Sequence, residues 1–376
     1  MHQLKPNEYQ KIAAIVDPLA EYNWIIPAVL EGVNPGTVYV DDVDNPSSVF
    51  MRTEEGSFFA GDPENTAFIQ DLNRYFHDKW FNDKVTVSGG AIYMVVHSEG
   101  WAEKLDALLQ PRIVFSLPRF RYVCSDLKYT DWQSRIPDGY TVREIDAAML
   151  KDASLDIPDH VRGWIDGWGS VENFLANGFG FCTLHGNKVV SWSLADCTSG
   201  RLCEIGIHTR SDYRRKGLAA ISAAAAVDDA LFNGYTQVGW QCNEDNIGSY
   251  KTAEKVGFER VKQYMMHFAM WSSVQELAQK AWFAFKDQRY QDCADVHAKL
   301  FAITGDDVPS YITFIEARAQ AALGQNDQAI ELLNKAIDKD WSYVDSAKEC
   351  QEFDTLRGTL EWDAALIRLQ EKKTSP

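Results

Sequence analysis

The spacing of apolar positions divides the chain into three stretches. In the first, to about residue 135, two helical segments precede three short alternating runs, GTVYVDD, SVFMRTE and SFFAGD, which read as strands. The helix ENTAFIQDLNRYFHDKW, the strand AIYMVV, the helix GWAEKLDALLQ and the strand RIVFSLPRFRYVC follow. The second stretch, about 136–272, begins with the strand GYTVREI and a helical or irregular run through WIDGWGSVENFLANG. Three strands come next, FGFCTLHG, KVVSWSLADC and LCEIGIHT, the first two joined by a Gly186-Asn187 turn suited to a hairpin. The run GLAAISAAAAVDDALFNG is rich in the best helix former, and Ala220, Ala224, Val227 and Leu231 form a stripe at helical spacing. The strand TQVGWQC, the short helix NIGSYKTAEKVG closed by Gly257, and the strand ERVKQYMMHFAMW complete it. From residue 273 the pattern is helical throughout, with one break at Pro309.

The first two stretches carry nearly the same order of strands and helices, which points to a structural duplication. They differ between the third strand and the long helix. The second copy has YRRKGLA there and the first has GDPENTA. Arg214, Arg215, Lys216, Gly217, Leu218 and Ala219 fit the pattern R-x-x-G-x-A at a helix start. The first backbone N–H groups of a helix are unpaired and sit at its positive end. Gly217 and Ala219 let an anion approach those groups, and the three cations add charge. The feature reads as a pyrophosphate seat; a solvated basic turn is the plainer alternative. In the first copy two acids and a proline fill the place, so a single anion site is expected.

This loop resembles the coenzyme A loop of the GNAT superfamily of acyl-coenzyme A dependent N-acyltransferases. A second match lies downstream in Asn246, Ser249, Ala253, Glu254, Lys255, Gly257 and Phe258. The fuller set of GFGFCTL, EIGIHT, YRRKGLA, WQCN and AEKVGF, behind a degenerate half, is similar to the bacterial subgroup that includes zwittermicin A resistance acetyltransferases. The resemblance implies an α/β (α+β) GNAT fold, duplicated, with a degenerate N-terminal domain at 1–135 and a catalytic domain at 136–272. It implies acetyl-CoA as co-substrate, cradled by Arg214 to Ala219. The backbone of Ile205, Gly206 and Ile207 would pair with the pantetheine arm, and Asn246 and Ser249 would lie near the coenzyme. Alternation in LCEIGIHT puts Cys203, Ile205 and Ile207 on one face and Glu204, Gly206 and His208 on the other, although a bulge, common there in the family, would shift that parity. Gly206 is expected to keep space for the thioester.

Acyl transfer to an amine needs a base, because only the neutral amine attacks. Glu204, mid-strand beside the expected thioester, is the first choice, with His208 and Asp196 as alternatives. The position where the family often keeps a tyrosine acid holds Ala253, and Tyr250 is the nearest substitute; otherwise its ring simply packs. Trp164 and Trp168, with nearby acids, are expected to form an aromatic wall for a cationic amine, against the plain alternative of packing anchors.

Charge and composition narrow the picture. With 37 basic against 54 acidic residues and a net charge of −17, the chain lacks the basic excess of a nucleic-acid binder. The acidity suits a cationic substrate or simply keeps the protein soluble. Seven scattered cysteines without a CxxC pair, and eight histidines without HxxxH or HxH spacing, predict reduced thiols and no metal. No apolar run reaches membrane-span length and no signal pattern opens the chain, so a cytoplasmic protein is expected. In the region 273–376, DQRYQDCADVHAKLFAI and GQNDQAIELLNKAI place small residues Cys293 and Ala329 in matching slots. This resembles tetratricopeptide repeats, which recur at about 34 residues. The expectation is an N-acetyltransferase acting on a primary amine of a small molecule by direct attack. Its helical region would serve a protein partner or self-association. The rival expectation is a scaffold or coenzyme A sensor with little transferase activity.

Overall fold

The computed structural model describes residues 1–81, 90–341 and 343–374. The first copy comprises β1 (His2–Gln3), α1 (Ala13–Ala20), α2 (Ile25–Leu30), β2 (Gly36–Val40), β3 (Ser48–Thr53), β4 (Ser57–Gly61), α3 (Thr66–Lys79), β5 (Ala91–Val96), α4 (Glu99–Leu109) and β6 (Val114–Cys124). The second comprises β7 (Tyr140–Glu144), α5 (Ala147–Lys151), α6 (Asp159–Asp166), α7 (Val171–Asn177), β8 (Gly180–His185), β9 (Lys188–Ser199), β10 (Leu202–Thr209), α8 (Leu218–Phe232), β11 (Gln237–Asn243), α9 (Ile247–Val256) and β12 (Glu259–Met270). Every strand and helix expected from the pattern has a counterpart here.

The strands form one sheet in the order β1-β2-β3-β4-β5-β12-β6-β11-β10-β9-β8-β7. In both copies three antiparallel strands lead, through a long helix, to a strand parallel to the third: β4 with β5, and β10 with β11. Each copy then gives its last strand to the other. β6, the end of the first copy, pairs antiparallel with β11 of the second, and β12 lies next to β5 of the first. The boundary expected at residue 135 therefore does not divide two bodies, because each copy's sheet is completed by the other's chain. Met1–Asn73, Tyr93–Leu108 and Val114–Phe268 form one compact unit.

Helix α8 explains how the second copy packs. Its alanines are buried on several faces, not along one stripe: Ala220, Ala223, Ala224, Ala225, Ala226 and Ala230 are all in the interior. Small side chains on every side let the helix lie close to β8, β9 and β10, and Ser222 reaches the Thr183 hydroxyl at 2.8 Å. The β8–β9 hairpin turns at Gly186, whose φ of +60° favours glycine.

The second unit takes in the chain from Ala269 onward with parts of Arg74–Ile92 and Leu109–Ile113. Its helices are α10 (Ser273–Lys286), α11 (Tyr290–Thr304), α12 (Ser310–Ala322), α13 (Asn326–Asp338), α14 (Val344–Glu349) and α15 (Leu360–Thr374). α10 packs on α11 and α12 on α13. Cys293 and Ala329, the matched small residues, are both fully buried. Pro309 sits at the start of α12 and so opens a helix instead of breaking one. No helix among the described residues is long and apolar enough to cross a membrane.

Candidate active site

The loop between β10 and α8 is an open helix start. Gly217 precedes the helix in the left-handed region, φ +80°, and no side chain caps the first turn. Arg215 also has positive φ, +62°. Alternating backbone of this kind turns successive N–H groups toward one concavity. The guanidinium of Arg214 is tethered to the Thr209 carbonyl at 3.2 Å. A cavity of about 690 Å³ faces this loop and is lined by Arg214, Arg215, Gly217, Leu218 and Ala219 with Asn246, Ser249 and Lys255. Lys216 does not line it; its ammonium lies over the Tyr213 ring at 4.9 Å. Asn246 caps α9 by accepting the Ser249 N–H, and the Ser249 hydroxyl receives the Trp240 indole N–H at 3.0 Å.

The parallel pairing of β10 with β11 ends at Glu204 opposite Gly239. Beyond that point β10 pairs only with β9, and β11 only with β6. The facing edges of Ile205–Thr209 and Trp240–Asn243 are thus left without a β-ladder partner, a slot into which an extended chain can insert. Cys203 and Ile205 are buried with α8 and Ile207 packs against the same cluster, as alternation requires. The irregularity lies on β9: Glu204 pairs with Cys197 and Ile205 with Ala195, leaving Asp196 as the extra residue.

The bulge carries Asp196 to a second cavity, of about 560 Å³, which shares Ile207, Asn246 and Ser249 with the first. Its walls include Glu54, Glu55 and Arg119 from the first copy and His160, Trp164, Asp196 and Gly206 from the second. The indole of Trp164 covers Gly206: a Cβ there would lie 2.5 Å from the ring and 3.2 Å from Asp196 Oδ2. The room expected over Gly206 for a thioester is thus filled by Trp164. Burial, then the charges of Glu55 and Glu204, hold the Asp196 carboxyl well above the usual range, against the Trp164 hydrogen bond and Arg119. Burial, then Glu204, pushes Glu55 up to about 7, again opposed by Arg119. The His208 ring stacks on Trp192, His160 lies tilted against both, and burial lowers both imidazoles below their usual value.

Glu204 is placed differently from expectation. It is buried in an ion pair with Arg121 of β6 and lines a small inner recess, not the larger chamber. Arg121 in turn lies 4.0 Å from the Trp24 ring and occupies the space over Gly239, where a Cβ would meet it at 2.5 Å. A carboxylate held this way is occupied structurally. Tyr250 lines neither cavity; its half-buried ring packs edge-on to Phe120 with Lys251 over its face. Trp168 is a packing anchor with its indole N–H on the Ala195 carbonyl at 3.1 Å, while Trp164 reaches the chamber.

Of the residues missed from the sequence, Glu54, Glu55, Arg119 and Arg121 come from the first copy and His160 from the second. One signal was present. Arg119 and Arg121 alternate in LPRFRYVC, a strand whose position between two others buries one cationic face and demands acids opposite it.

A family model described as GNAT acetyltransferase matches residues 18–267. An uncharacterized N-acetyltransferase, YdfB, from Bacillus subtilis (strain 168) is 29% identical over 249 residues, covering 64% of this chain and 88% of that protein. The crystal structure of a GCN5-related N-acetyltransferase-like protein from Streptococcus suis 89/1591 aligns over 70% of this chain and 99% of its own, with a TM-score of 0.54 and 24% identity, which shows the fold. GNAT acetyltransferases take acetyl-CoA as co-substrate. With the matched region spanning both copies and the whole of the open loop, this chain belongs to the GNAT acetyltransferase family and is an N-acetyltransferase.

Proposed function

We propose that the enzyme transfers the acetyl group of acetyl-CoA to a primary amine of a small, cationic molecule by direct attack. The observation that carries this reading is the meeting of two cavities at Ile207, Asn246 and Ser249, one at an open helix start and one walled by acids. The pyrophosphate would take the N–H groups around Gly217 with Arg214 and Arg215, and the pantetheine would lie in the slot beyond Glu204. The thioester then reaches the chamber walled by Glu54, Glu55 and Asp196, whose crowded carboxyls favour an ammonium group because an incoming cation stabilises their ionised forms.

Glu55 takes the proton that frees the amine, and Asp196 and Trp164 hold the acceptor. The amine nitrogen bonds to the thioester carbon, the C–S bond breaks with its electron pair leaving on sulfur, and the second proton lost by the nitrogen ends on the thiolate, which gives the amide and the free coenzyme A thiol. Glu204 and Tyr250, the residues favoured on sequence grounds, serve as ion-pair partner and packing ring in this reading. The helical unit, with Cys293 and Ala329 buried in successive hairpins, fits a tetratricopeptide-like pair.

Thiol release from acetyl-CoA with a panel of mono- and polyamines tests the proposal. Turnover should favour acceptors carrying a second cationic group. Equal turnover with neutral and cationic amines would remove the acidic-wall argument, and no turnover with any amine, despite coenzyme binding, would remove the reading.

A further inference from the structure

The helical unit holds a cluster that the transfer chemistry leaves unused. Cys293 and His297 lie one turn apart on α11, and Glu316 faces them from α12. All three are buried, with relative exposures of 0%, 1% and 4%. Their donor atoms, Sγ, an imidazole nitrogen and a carboxylate oxygen, lie within 4.8 Å of one another. We infer that these residues form a binding site for one divalent ion of the zinc class.

Hydrogen bonding alone accounts poorly for the arrangement. His297 Nδ1 is 2.5 Å from Glu316 Oε2 and 3.6 Å from Cys293 Sγ. The ring nitrogen carries at most one proton, which the short contact to Glu316 engages, so the Cys293 sulfur is left with only a long contact. Three dissimilar donors aimed at one point are better satisfied by a cation between them. The set is borderline-soft, S, N and O, which selects zinc over magnesium or calcium. A thiolate and a carboxylate balance a divalent charge, so the loaded site is neutral, as a buried site requires.

The dimensions agree. With metal–ligand bonds of about 2.0–2.3 Å, a tetrahedral edge is roughly 3.5 Å. The sulfur–nitrogen separation is 3.6 Å already. The carboxylate must draw back by roughly 1 Å to reach the same edge. The supporting groups are also in place. Gln320 donates to Glu316 Oε1 at 2.6 Å and fixes the carboxylate, and the Phe301 ring stacks on His297 at 5.6 Å with an interplanar angle of 13°. Phe301 also lines a cavity of about 260 Å³ with Thr313, whose buried hydroxyl has no hydrogen-bond partner. The sequence signal was a Cys-x-x-x-His pair at helical spacing, which a search for paired histidines or paired cysteines passes over.

Cobalt(II) titrated into the metal-stripped full chain provides the test. One equivalent per chain should bind, with a thiolate-to-cobalt band in the near ultraviolet and intense tetrahedral bands in the visible. Zinc should displace it and raise the thermal midpoint. Cys293→Ser should lose the near-ultraviolet band, and Gln320→Leu, which leaves all three ligands intact, should weaken zinc binding roughly 10-fold or more. Absence of stoichiometric cobalt binding by the full chain overturns the inference, as does a near-ultraviolet band that survives in Cys293→Ser.

Discussion

The two copies of the fold treat the same helix start in opposite ways. In the first copy Asn65 accepts the Phe68 N–H at 3.1 Å, Asp62 accepts the Glu64 N–H at 2.9 Å, and Pro63 offers no N–H. The start of α3 is closed by its own chain. In the second copy Gly217 leaves the start of α8 uncapped, with two arginines beside it. One framework thus yields a self-satisfied end and an end that waits for an anion. The closed copy still contributes to the site, since its β6 carries Arg119 and Arg121 and its β3–β4 turn carries Glu55. In the proposed reading the second copy alone presents the coenzyme seat, and the first adds Glu54, Glu55 and Arg119 to an acceptor chamber that both copies wall.

The strand exchange offers the largest test of this division. Arg121 of the first copy neutralises Glu204 of the second in the interior. Arg121→Leu leaves that carboxylate unpaired and should cost about 3–5 kcal/mol in denaturant unfolding. Adding Glu204→Leu should restore most of the loss, because an apolar pair of similar size tolerates burial. A catalytic Glu204 would instead give a stable but inactive double variant.

Next in size is the open helix start. Gly217→Glu forces a left-handed backbone on a side chain, about 1–2 kcal/mol, and puts a negative charge where an anion should bind. Coenzyme A affinity, read by calorimetry, should fall roughly 100-fold, about 3 kcal/mol. Unchanged affinity would place the coenzyme elsewhere.

Glu55→Gln probes the chamber wall and should lower kcat/KM by roughly 100–1000-fold, the lower part of the range for a general base, with coenzyme affinity intact. The sign of the pH effect follows from the raised carboxyl, at about 7. Below that pH Glu55 is protonated and cannot accept a proton, so kcat/KM of the parent enzyme should climb as pH rises through about 7. The limb should vanish in the variant; a persisting limb would assign it to another group.

Local features were readable in advance because local rules govern them. The cap at Asn246, the turn at Gly186 and the loop before α8 depend on residues within a few positions of one another. Glu204 was misplaced because its role depends on Arg121, which reaches it only through the exchanged strand. Trp164 and Trp168 share a helical face if the helix continues, but α6 ends at Asp166, and the turn through Gly167 and Gly169 sends Trp168 into the core. Asp196 gained its place from a bulge whose location no periodicity reveals, since one extra residue in a strand changes which side chain faces the cavity.

The smallest effect should come from the closed helix start, and it separates loss of function from reassigned function. Asn65→Ala removes the side-chain oxygen that accepts the Phe68 N–H and should cost about 1 kcal/mol of stability, as for other helix caps. Coenzyme A should still bind with one equivalent per chain, because reopening two or three N–H groups does not bring back the cations or the left-handed glycine that the second copy has. Acidic Asp62 and Glu64 remain beside the first turn and repel a pyrophosphate. A second equivalent of coenzyme in Asn65→Ala would mean that a single cap, and not the whole loop, distinguishes the copies, and the division of tasks drawn from them would fail.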